Sequence, residues 1–380
     1  MKLRFRQVLI IFLIIFSLFS VILLYGWIGY ATKFNNATIS LKFDGEESYK
    51  HVRKQVNLGY RIPGTNDSRE CVEYFISEFQ EIDQNFSYFI HKFEVQSVDC
   101  QNVLFKLNEE KDNIVILGAH YDSRAKATKD PNSPDRPVPG ANDGASGSAV
   151  LLELARSFYK RKSKLECELW FLFFDAEDQG KDEGGYGIKD WDWCEGSNEF
   201  VKDLEDFINF DKEDIDCMIL LDMVGGKGLQ FIDEQNSASS LLTEIFEIGR
   251  KLGYMNAFPT FPYVASITDD HIPFIRENIP SADLIINFEH NYEWPHHHTI
   301  YDNIDNISEK SLDITGRTIE QFIYNNYLDS YENYEGNSPW KEDIPYLNIG
   351  LLFILSIFLV GIVGIFLGYC FKRKLNALKL

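Results

Sequence analysis

The chain lacks an excess of positive charge. Its 380 residues include 37 Lys and Arg against 58 Asp and Glu, which gives a formal net charge of −21 at pH 7. A protein that binds nucleic acid needs a basic surface to neutralise phosphates, so this composition argues against a nucleic-acid partner. Internal repeats are also missing, which excludes a repeat architecture, and a hydrophobic fraction of 45% can build a sizeable core.

Cysteine is scarce as well, with six residues in the whole chain. One lies near the C-terminus, at Cys370, and the other five are Cys71, Cys100, Cys167, Cys194 and Cys217. Because five is odd and no pair has a diagnostic spacing, the sequence predicts no particular disulfide. It also gives no indication of the oligomeric state.

Charged residues are absent from two long apolar stretches, 8–31 and 344–371. Each exceeds the roughly 20 residues that a helix needs to cross a membrane. Basic residues precede the first stretch and follow the second, and such residues stay on the cytoplasmic side. We therefore predict a two-pass membrane protein with both termini in the cytoplasm, although the first stretch could instead be a cleaved signal peptide. The predicted parts are a cytoplasmic tip and anchor (1–34), an extracytoplasmic domain (35–335), and a linker, second span and basic tail (336–380).

Strand-like and helical patterns alternate through the middle region. Apolar segments rich in β-branched and aromatic residues predict strands at 86–95, 102–108, 113–120, 165–178, 215–225 and 281–290. Helical patterns occur at 42–56, 68–80, 145–159, 199–208, 237–252 and 308–327, with Ser68 as a candidate helix cap. This order predicts an α/β three-layer sandwich with a mostly parallel central sheet, and in such sheets sites lie at the carboxyl ends of the strands.

Potential metal ligands follow these strands: His120, Asp143, Glu177, Asp178, Asp222 and His298. A single acid at a strand end is usually a turn former or a helix cap, and Asp143 could cap the helix that begins near Gly144. Several carboxylates on one edge would repel each other, and a divalent cation removes that cost. Mixed nitrogen and oxygen ligands suit zinc. In the pair Glu177-Asp178, one acid could bind metal while the other moves protons.

Three consecutive histidines, His296 to His298, precede Thr299. They could form a histidine-rich surface loop, and all three cannot serve one metal ion. The sequence alone therefore indicates a ligand in this segment without choosing which histidine it is.

The ordered motifs GAHYDS, GANDGASG, FFDAED, LLDMVG, DDHIPF and HHT resemble the M28 metallopeptidase family over roughly residues 45–330. Within that family, HYDSR, DWCEGS and TDDHIPFIRENIP are similar to the glutaminyl-peptide cyclotransferases. The resemblance implies the fold of the zinc exopeptidases and a zinc ion held by Asp143, Asp178 and His298. It also implies Glu177 as the general acid/base.

The same resemblance gives roles to three further residues. Asp222 and Asp270 would form a hydrogen-bonded acidic network beside Glu177. In the aminopeptidase branch His120 would hold a second zinc together with Asp222, and Asp143 would bridge both ions. The cyclotransferases are similar at these positions yet use one zinc, so the motifs leave the metal count open between one ion and two.

We favour the hypothesis that the protein is a membrane-anchored zinc enzyme that acts on peptide N-termini and converts N-terminal glutamine to pyroglutamate. A zinc aminopeptidase of the same fold is the alternative, and a catalytically silent receptor domain is a remote one. Two departures from the cyclotransferases keep the choice open. His297 stands where they have tryptophan, and Asp178 stands where many relatives have glutamate. Trp294, Trp191 and Trp193 could wall the pocket or pack in the core.

Overall fold

The computed structural model describes residues 40–328. The two apolar stretches predicted to cross a membrane, 8–31 and 344–371, lie outside these residues, as do both predicted cytoplasmic segments. Among the helices of the described part, none is both long and apolar enough to span a bilayer.

The described chain is built on a six-stranded mixed sheet with the strand order β1-β2-β4-β3-β7-β10. Its strands are β1 Ser87–Val95, β2 Val98–Leu107, β3 Asn113–His120, β4 Glu168–Phe174, β7 Asp214–Asp222 and β10 Ser281–Ile285. Short strand pairs complete the set, formed by β5 Lys181–Asp182 with β6 Gly185–Tyr186 and by β8 Asp233–Glu234 with β9 Val264–Ala265. Strands β4, β3, β7 and β10 are parallel, whereas β2 is antiparallel to both β1 and β4. The sheet is therefore mixed but mostly parallel, as the sequence predicts, because β2 alone of its six strands runs in the opposite direction.

Helices cover both faces of this sheet, as the three-layer prediction requires. They are α1 Gly45–Leu58, α2 Asn66–Ile82, α3 Ala145–Tyr159, α4 Glu195–Lys202, α5 Ser239–Lys251, α6 His271–Arg276 and α7 Glu309–Tyr327. The larger core lies under α1, α2, α3, α5 and α7, and the smaller core contains Phe200 of α4 and Phe274 of α6.

The central strands contribute side chains to both cores. In β3, Val115 and Leu117 belong to the larger core, whereas Ile114 and Ile116 belong to the smaller one. A strand that is apolar on both faces needs no alternation of apolar and polar residues, which is why its sequence is continuously apolar. The prediction of a doubly buried strand at 113–120 is confirmed.

Most predicted helix boundaries shift by one to four residues in the structure, and two of these helices show how. The helix predicted from Ser68 begins at Asn66, and its cap is Thr65, whose side chain accepts a hydrogen bond from the Ser68 N–H. The helix predicted over 199–208 is α4 followed by a short 3₁₀ turn, Leu204–Asp206. The first difference arises because two polar residues that can cap a helix, Thr65 and Ser68, lie close together in the sequence.

Both ends of the described chain lie at the end of the sheet where strand β4 begins. Arg161 donates a hydrogen bond to the carbonyl of Ser40, and Leu328 forms a β-bridge with Leu165, shortly before β4. The carboxyl ends of β3, β4, β7 and β10 all lie at the opposite end of the sheet, because these strands are parallel. That end carries the candidate site.

Candidate active site

Asp143 lies in a loop that leaves its carboxylate free for the site. The helix cap is Gly144, with no side-chain cap bond, so the sequence alternative that Asp143 caps α3 is wrong. Gly140 and Gly144 have positive φ angles of 61° and 99°, which non-glycine residues rarely adopt. Asp302 accepts hydrogen bonds from the backbone N–H groups of Asn142 and Asp143 at 2.8 and 3.0 Å, and so fixes the loop.

The three predicted zinc ligands lie close together, with both carboxylates near Nε2 of His298. Nε2 of His298 lies 3.0 Å from Oδ1 of Asp178 and 3.9 Å from Oδ2 of Asp143. All three side chains are buried. We call these three residues the ligand cluster. A short-range cluster of one imidazole and two carboxylates, drawn from distant parts of the chain, matches the ligand types of zinc sites.

The imidazole of His298 is oriented by Asp182. Its Nδ1 lies 2.6 Å from Oδ2 of Asp182, which also accepts a hydrogen bond from Thr128. Burial by itself would raise the pKa of Asp182, but the hydrogen bonds from His298 and Thr128 and the charge of Arg124 outweigh it and lower that pKa. An ionised Asp182 accepts the Nδ1 proton, which leaves Nε2 unprotonated for a metal.

The two carboxylate oxygens of Asp178 differ, because Oδ1 pairs with an arginine and Oδ2 has no hydrogen-bond partner. Its Oδ1 lies 3.0 Å from Nη1 of Arg124, a buried guanidinium that also donates to the backbone carbonyls of Asp178 and Gly180. Its Oδ2 is buried and has no hydrogen-bond partner. A buried carboxylate oxygen without a donor is unfavourable unless a cation or a proton lies on it. The residues present therefore fit a bound zinc ion.

A second cluster lies on the other side of Asp143. Nε2 of His120 is 3.2 Å from Oδ1 of Asp143 and 3.0 Å from Oδ1 of Asp222, and the three side chains are buried. Nδ1 of His120 contacts Asp122 at 3.3 Å. The two oxygens of Asp143 thus face two different histidines, which is the arrangement that the resemblance implies for a bridging ligand.

Glu177 occupies the turn after β4, next to the ligand cluster. Asp122 accepts hydrogen bonds from the N–H groups of Glu177 and Asp178, and thereby fixes the turn. The Oε1 atom of Glu177 accepts a weak hydrogen bond from the thiol of Cys194 at 3.6 Å. Burial raises the pKa of Glu177 well above its usual range, and the charge of Asp269 adds to this effect, although His120 opposes it.

The acidic network beside Glu177 differs in part from the expectation. Ligand atoms of Glu177, Cys194 and Asp269 lie within 4.8 Å of one another. Asp269 lines the cleft, whereas Asp270 is fully buried behind it and accepts a hydrogen bond from Ser197 at 2.5 Å. Besides burial, the charges of both Asp269 and Asp270 raise the pKa of Glu177, so the structure adds Asp269 to the expected residue Asp270 beside Glu177.

Several site residues have a backbone conformation that is unusual for residues with a side chain. Ala176, Cys194, Met223 and His298 have φ angles of 59°, 60°, 48° and 56°. Left-handed conformations of non-glycine residues cost free energy and persist where the surrounding structure enforces them, commonly at functional sites. Their concentration here supports the location of the site.

The clusters open into a cleft of about 230 Å³. Trp193 stacks on His298 with ring centroids 5.8 Å apart and an interplanar angle of 13°, and Phe288 packs against His297. Of the other candidate wall residues, Trp191 and Trp294 are buried in the core. The cleft thus has an aromatic wall that includes one of the three tryptophans suggested by the sequence.

The three consecutive histidines have different surroundings. His298 joins the ligand cluster, and His297 lies beside it, with its Nδ1 2.9 Å from the ammonium of Lys129. His296 packs near Trp294 and Tyr301. Ligand atoms of His297 and His298 both lie within 4.8 Å of a ligand atom of Asp143, and the additional contact with Asp178 favours His298 as the ligand.

The sequence placed Asp122 with His120 at a strand end, but sequence reasoning missed four other residues that support these ligands: Arg124, Asp182, Asp269 and Asp302. Each lies within four positions of a predicted ligand or network residue, because the same turn that carries a ligand also carries its partner. Proximity in sequence was the available signal, but it does not show which neighbour points inward.

We expect Asp182→Asn to lower zinc affinity by about 10- to 100-fold, because a neutral amide oxygen accepts the Nδ1 hydrogen bond of His298 more weakly than the carboxylate does. A competitive chelator titration of the purified protein measures this. Asp135→Asn is a matched control, since Asp135 is exposed and pairs only with the exposed Lys126. Equal zinc affinity in both variants would contradict the orienting role of Asp182.

The fold and site define a zinc-exopeptidase-like α/β protein. A solved Zn-dependent exopeptidase from Parabacteroides distasonis matches with a TM-score of 0.67 and 30% identity, covering 75% of this chain and 99% of that one. The sequence profile of Peptidase family M28 matches residues 102–323. The chain belongs to this family.

Two further relatives are named for the cyclisation of glutaminyl peptides. The glutaminyl-peptide cyclotransferase of Drosophila melanogaster is 26% identical over 273 residues, which cover 64% of this chain and 73% of the relative. The solved glutaminyl cyclase of Bacteroides thetaiotaomicron, bound to N-acetylhistamine, is 29% identical with a TM-score of 0.68, covering 75% of this chain and 99% of that one. Membership of a zinc-dependent family agrees with the ligand cluster.

Proposed function

We propose that this protein is a zinc-dependent glutaminyl-peptide cyclotransferase, which converts an N-terminal glutamine to pyroglutamate and releases ammonia. The observation that carries the proposal is one small cleft that brings the ligand cluster, Glu177 and Asp269 together. The cyclotransferases among the relatives agree with this proposal.

Asp143, Asp178 and His298 would hold the zinc ion, which supplies Lewis-acid polarisation of the substrate's side-chain amide. Glu177 takes a proton from the substrate α-amine as the bond from that nitrogen to the side-chain carbonyl carbon forms. It returns the proton to the amide nitrogen, and the bond to that nitrogen breaks as ammonia leaves. A buried Glu177 with a raised pKa is suited to both transfers.

The aromatic wall has a function in this reaction. Trp193 and Phe288 line the cleft and replace water beside the reacting amide. Water that attacked the same carbon would yield glutamate instead of pyroglutamate, so its exclusion favours cyclisation.

The second candidate function is a zinc aminopeptidase. The cluster of His120, Asp143 and Asp222 favours it, because these buried side chains could hold a second ion with Asp143 between the two sites. In that reaction Glu177 would deprotonate a water molecule that attacks the first peptide bond.

Two measurements on the purified protein test the proposal. Incubation with glutamine-initiated peptides should release ammonia and leave a blocked N-terminus, and metal analysis should give about one zinc per chain. Release of free amino acids with two zinc ions per chain would replace the proposal with the aminopeptidase. A protein that binds zinc and leaves every peptide unchanged would support a catalytically silent domain.

We also propose that the enzyme domain is held outside the cytoplasm by two membrane spans, 8–31 and 344–371, with both termini in the cytoplasm. The basic residues that flank the spans support this topology. Protease treatment of intact cells should digest the domain and leave epitope tags at both termini protected. Digestion of either tag in intact cells would contradict the topology.

A further inference from the structure

The segment 263–268 forms part of the wall of the cleft and continues away from it. Its last three residues, Ser266, Ile267 and Thr268, line the cleft, and strand β9, Val264–Ala265, precedes them. Val264 and Ser266 are both exposed, so the segment leads from the cleft to the open surface. None of the functions argued above uses this segment.

One side of the segment is hydrogen-bonded to the body of the protein. The residues whose backbone groups bond on this side are alternate ones, Tyr263, Ala265 and Ile267, and their partners all lie in 233–236. The carbonyls of Tyr263 and Ala265 accept hydrogen bonds of 2.8 and 2.9 Å from backbone N–H groups there. In an extended chain, successive residues direct their backbone groups to opposite sides, so the residues between these three face the other way.

The opposite side of the segment has open backbone groups. Within residues 40–328, the N–H and C=O groups of Val264 and Ser266 form no hydrogen bond with the protein. We call these two residues the β9 edge. An open strand edge presents a row of donors and acceptors that can pair with another extended chain. The β9 edge therefore fits the backbone of a peptide, whatever side chains that peptide carries.

The position of the β9 edge favours the substrate as its occupant. A peptide with its N-terminal residue in the cleft must continue out of it, and Ser266 belongs both to the cleft lining and to the β9 edge. An extended chain advances about 3.3–3.6 Å per residue, so the second to fourth residues of the peptide can run beside Ser266 and Val264. A second copy of this chain fits less well, because two molecules with a net charge of −21 repel each other.

We propose that the β9 edge binds the backbone of the substrate peptide beyond its N-terminal residue, through hydrogen bonds to Val264 and Ser266 like those of an added strand. This inference rests on the proposed action on peptide N-termini. Main-chain hydrogen bonds do not depend on side chains, so the β9 edge raises the affinity for longer peptides of varied sequence. The length of the peptide, rather than the identity of its second residue, is the determinant at this site.

The test compares kcat/KM for ammonia release by the full-length protein from two amidated peptides, Gln-Ala and Gln-Ala-Ala-Ala. In the wild type, kcat/KM for the longer peptide should be about five- to tenfold higher, mainly through KM, because of its added backbone hydrogen bonds. Ser266→Pro removes the N–H donor and should lower this ratio to about twofold or less. Ser266→Ala keeps the N–H and should keep the wild-type ratio.

A second measurement changes the substrate instead of the protein. N-methylation of one backbone nitrogen in the longer peptide removes one donor. In an added strand only alternate residues face the edge, so methylation of one of the nitrogens of residues three and four should lower kcat/KM about fivefold, whereas methylation of the other should change it little. Equal losses at both nitrogens would contradict strand pairing.

The outcomes separate the two proposals. Cyclisation of both peptides with equal kcat/KM would overturn the role of the β9 edge and leave the cyclotransferase standing. Release of free amino acids, with a length ratio that falls in Ser266→Pro, would support the β9 edge and overturn the cyclotransferase. Concentration-dependent dimers that Ser266→Pro abolishes would assign the edge to a second copy and overturn the inference. Wild-type protein that processes neither peptide would overturn both proposals.

Discussion

Glu177→Gln is expected to lower kcat by about 10²- to 10⁴-fold, the range that a positioned general acid/base contributes. The amide has nearly the same shape as the carboxylate but cannot accept and return a proton. It can still accept the hydrogen bond from Cys194 and can donate one to Asp269, so the fold and the ligand cluster should survive. Ammonia release from a glutamine-initiated peptide and zinc content measure the two effects separately.

Glu183→Gln is the matched control, because this exposed acid lies six positions along the same segment. It should retain wild-type turnover and zinc. Turnover of Glu177→Gln within about twofold of the wild type would contradict a proton-transfer role. Loss of folding in Glu177→Gln would show that the residue is needed for structure and would count against the assignment.

Asp143→Asn has the second largest expected effect, since Asp143 is the residue that contacts both histidines. Its two oxygens lie 3.2 Å from His120 and 3.9 Å from His298. A neutral amide removes one negative charge and offers one good donor atom where the carboxylate offers two. Zinc affinity should fall by more than about 100-fold, beyond the loss expected for an outer partner such as Asp182, and turnover should disappear.

A chelator titration followed by metal analysis tests this expectation. Asp302 still holds the backbone of the loop in Asp143→Asn, so the variant should remain folded, which circular dichroism verifies. Asp135→Asn again serves as the control for an Asp to Asn change. Zinc content and affinity equal to those of the control would remove Asp143 from the ligand cluster.

The central strands were predictable because a run of apolar residues in the sequence indicates a buried strand. Strands β3, β4 and β7 each contain an unbroken apolar run of five or more residues, which is typical of strands covered on both faces. The antiparallel direction of β2 was not predictable, since an apolar segment carries no information about the direction of its partner. Helix ends were less certain for a local reason. At the start of α2, Thr65 and Ser68 can both act as caps, and backbone geometry selects Thr65.

The ligand cluster was partly predictable. The motif order suggested Asp143, Asp178 and His298, and the parallel strands explain why residues so far apart in the chain can meet at one edge. The partners that orient them were not predictable. Asp182 contacts His298 across 116 positions, and Arg124 contacts Asp178 across 54. Such pairs depend on how distant turns pack against one another, and a local sequence pattern carries no information about that packing.

By itself, the sequence determined the alternation of strands and helices, the residue types at the sheet edge and the apolar stretches at both ends, because hydrophobic patterning and charge are local properties of the chain. The tertiary structure decided that His298 contacts both Asp143 and Asp178, that Asp269 adjoins Glu177, and that Trp193 alone of three tryptophans walls the cleft. Side-chain direction depends on backbone angles and on packing against distant residues, and both exist only in the folded chain.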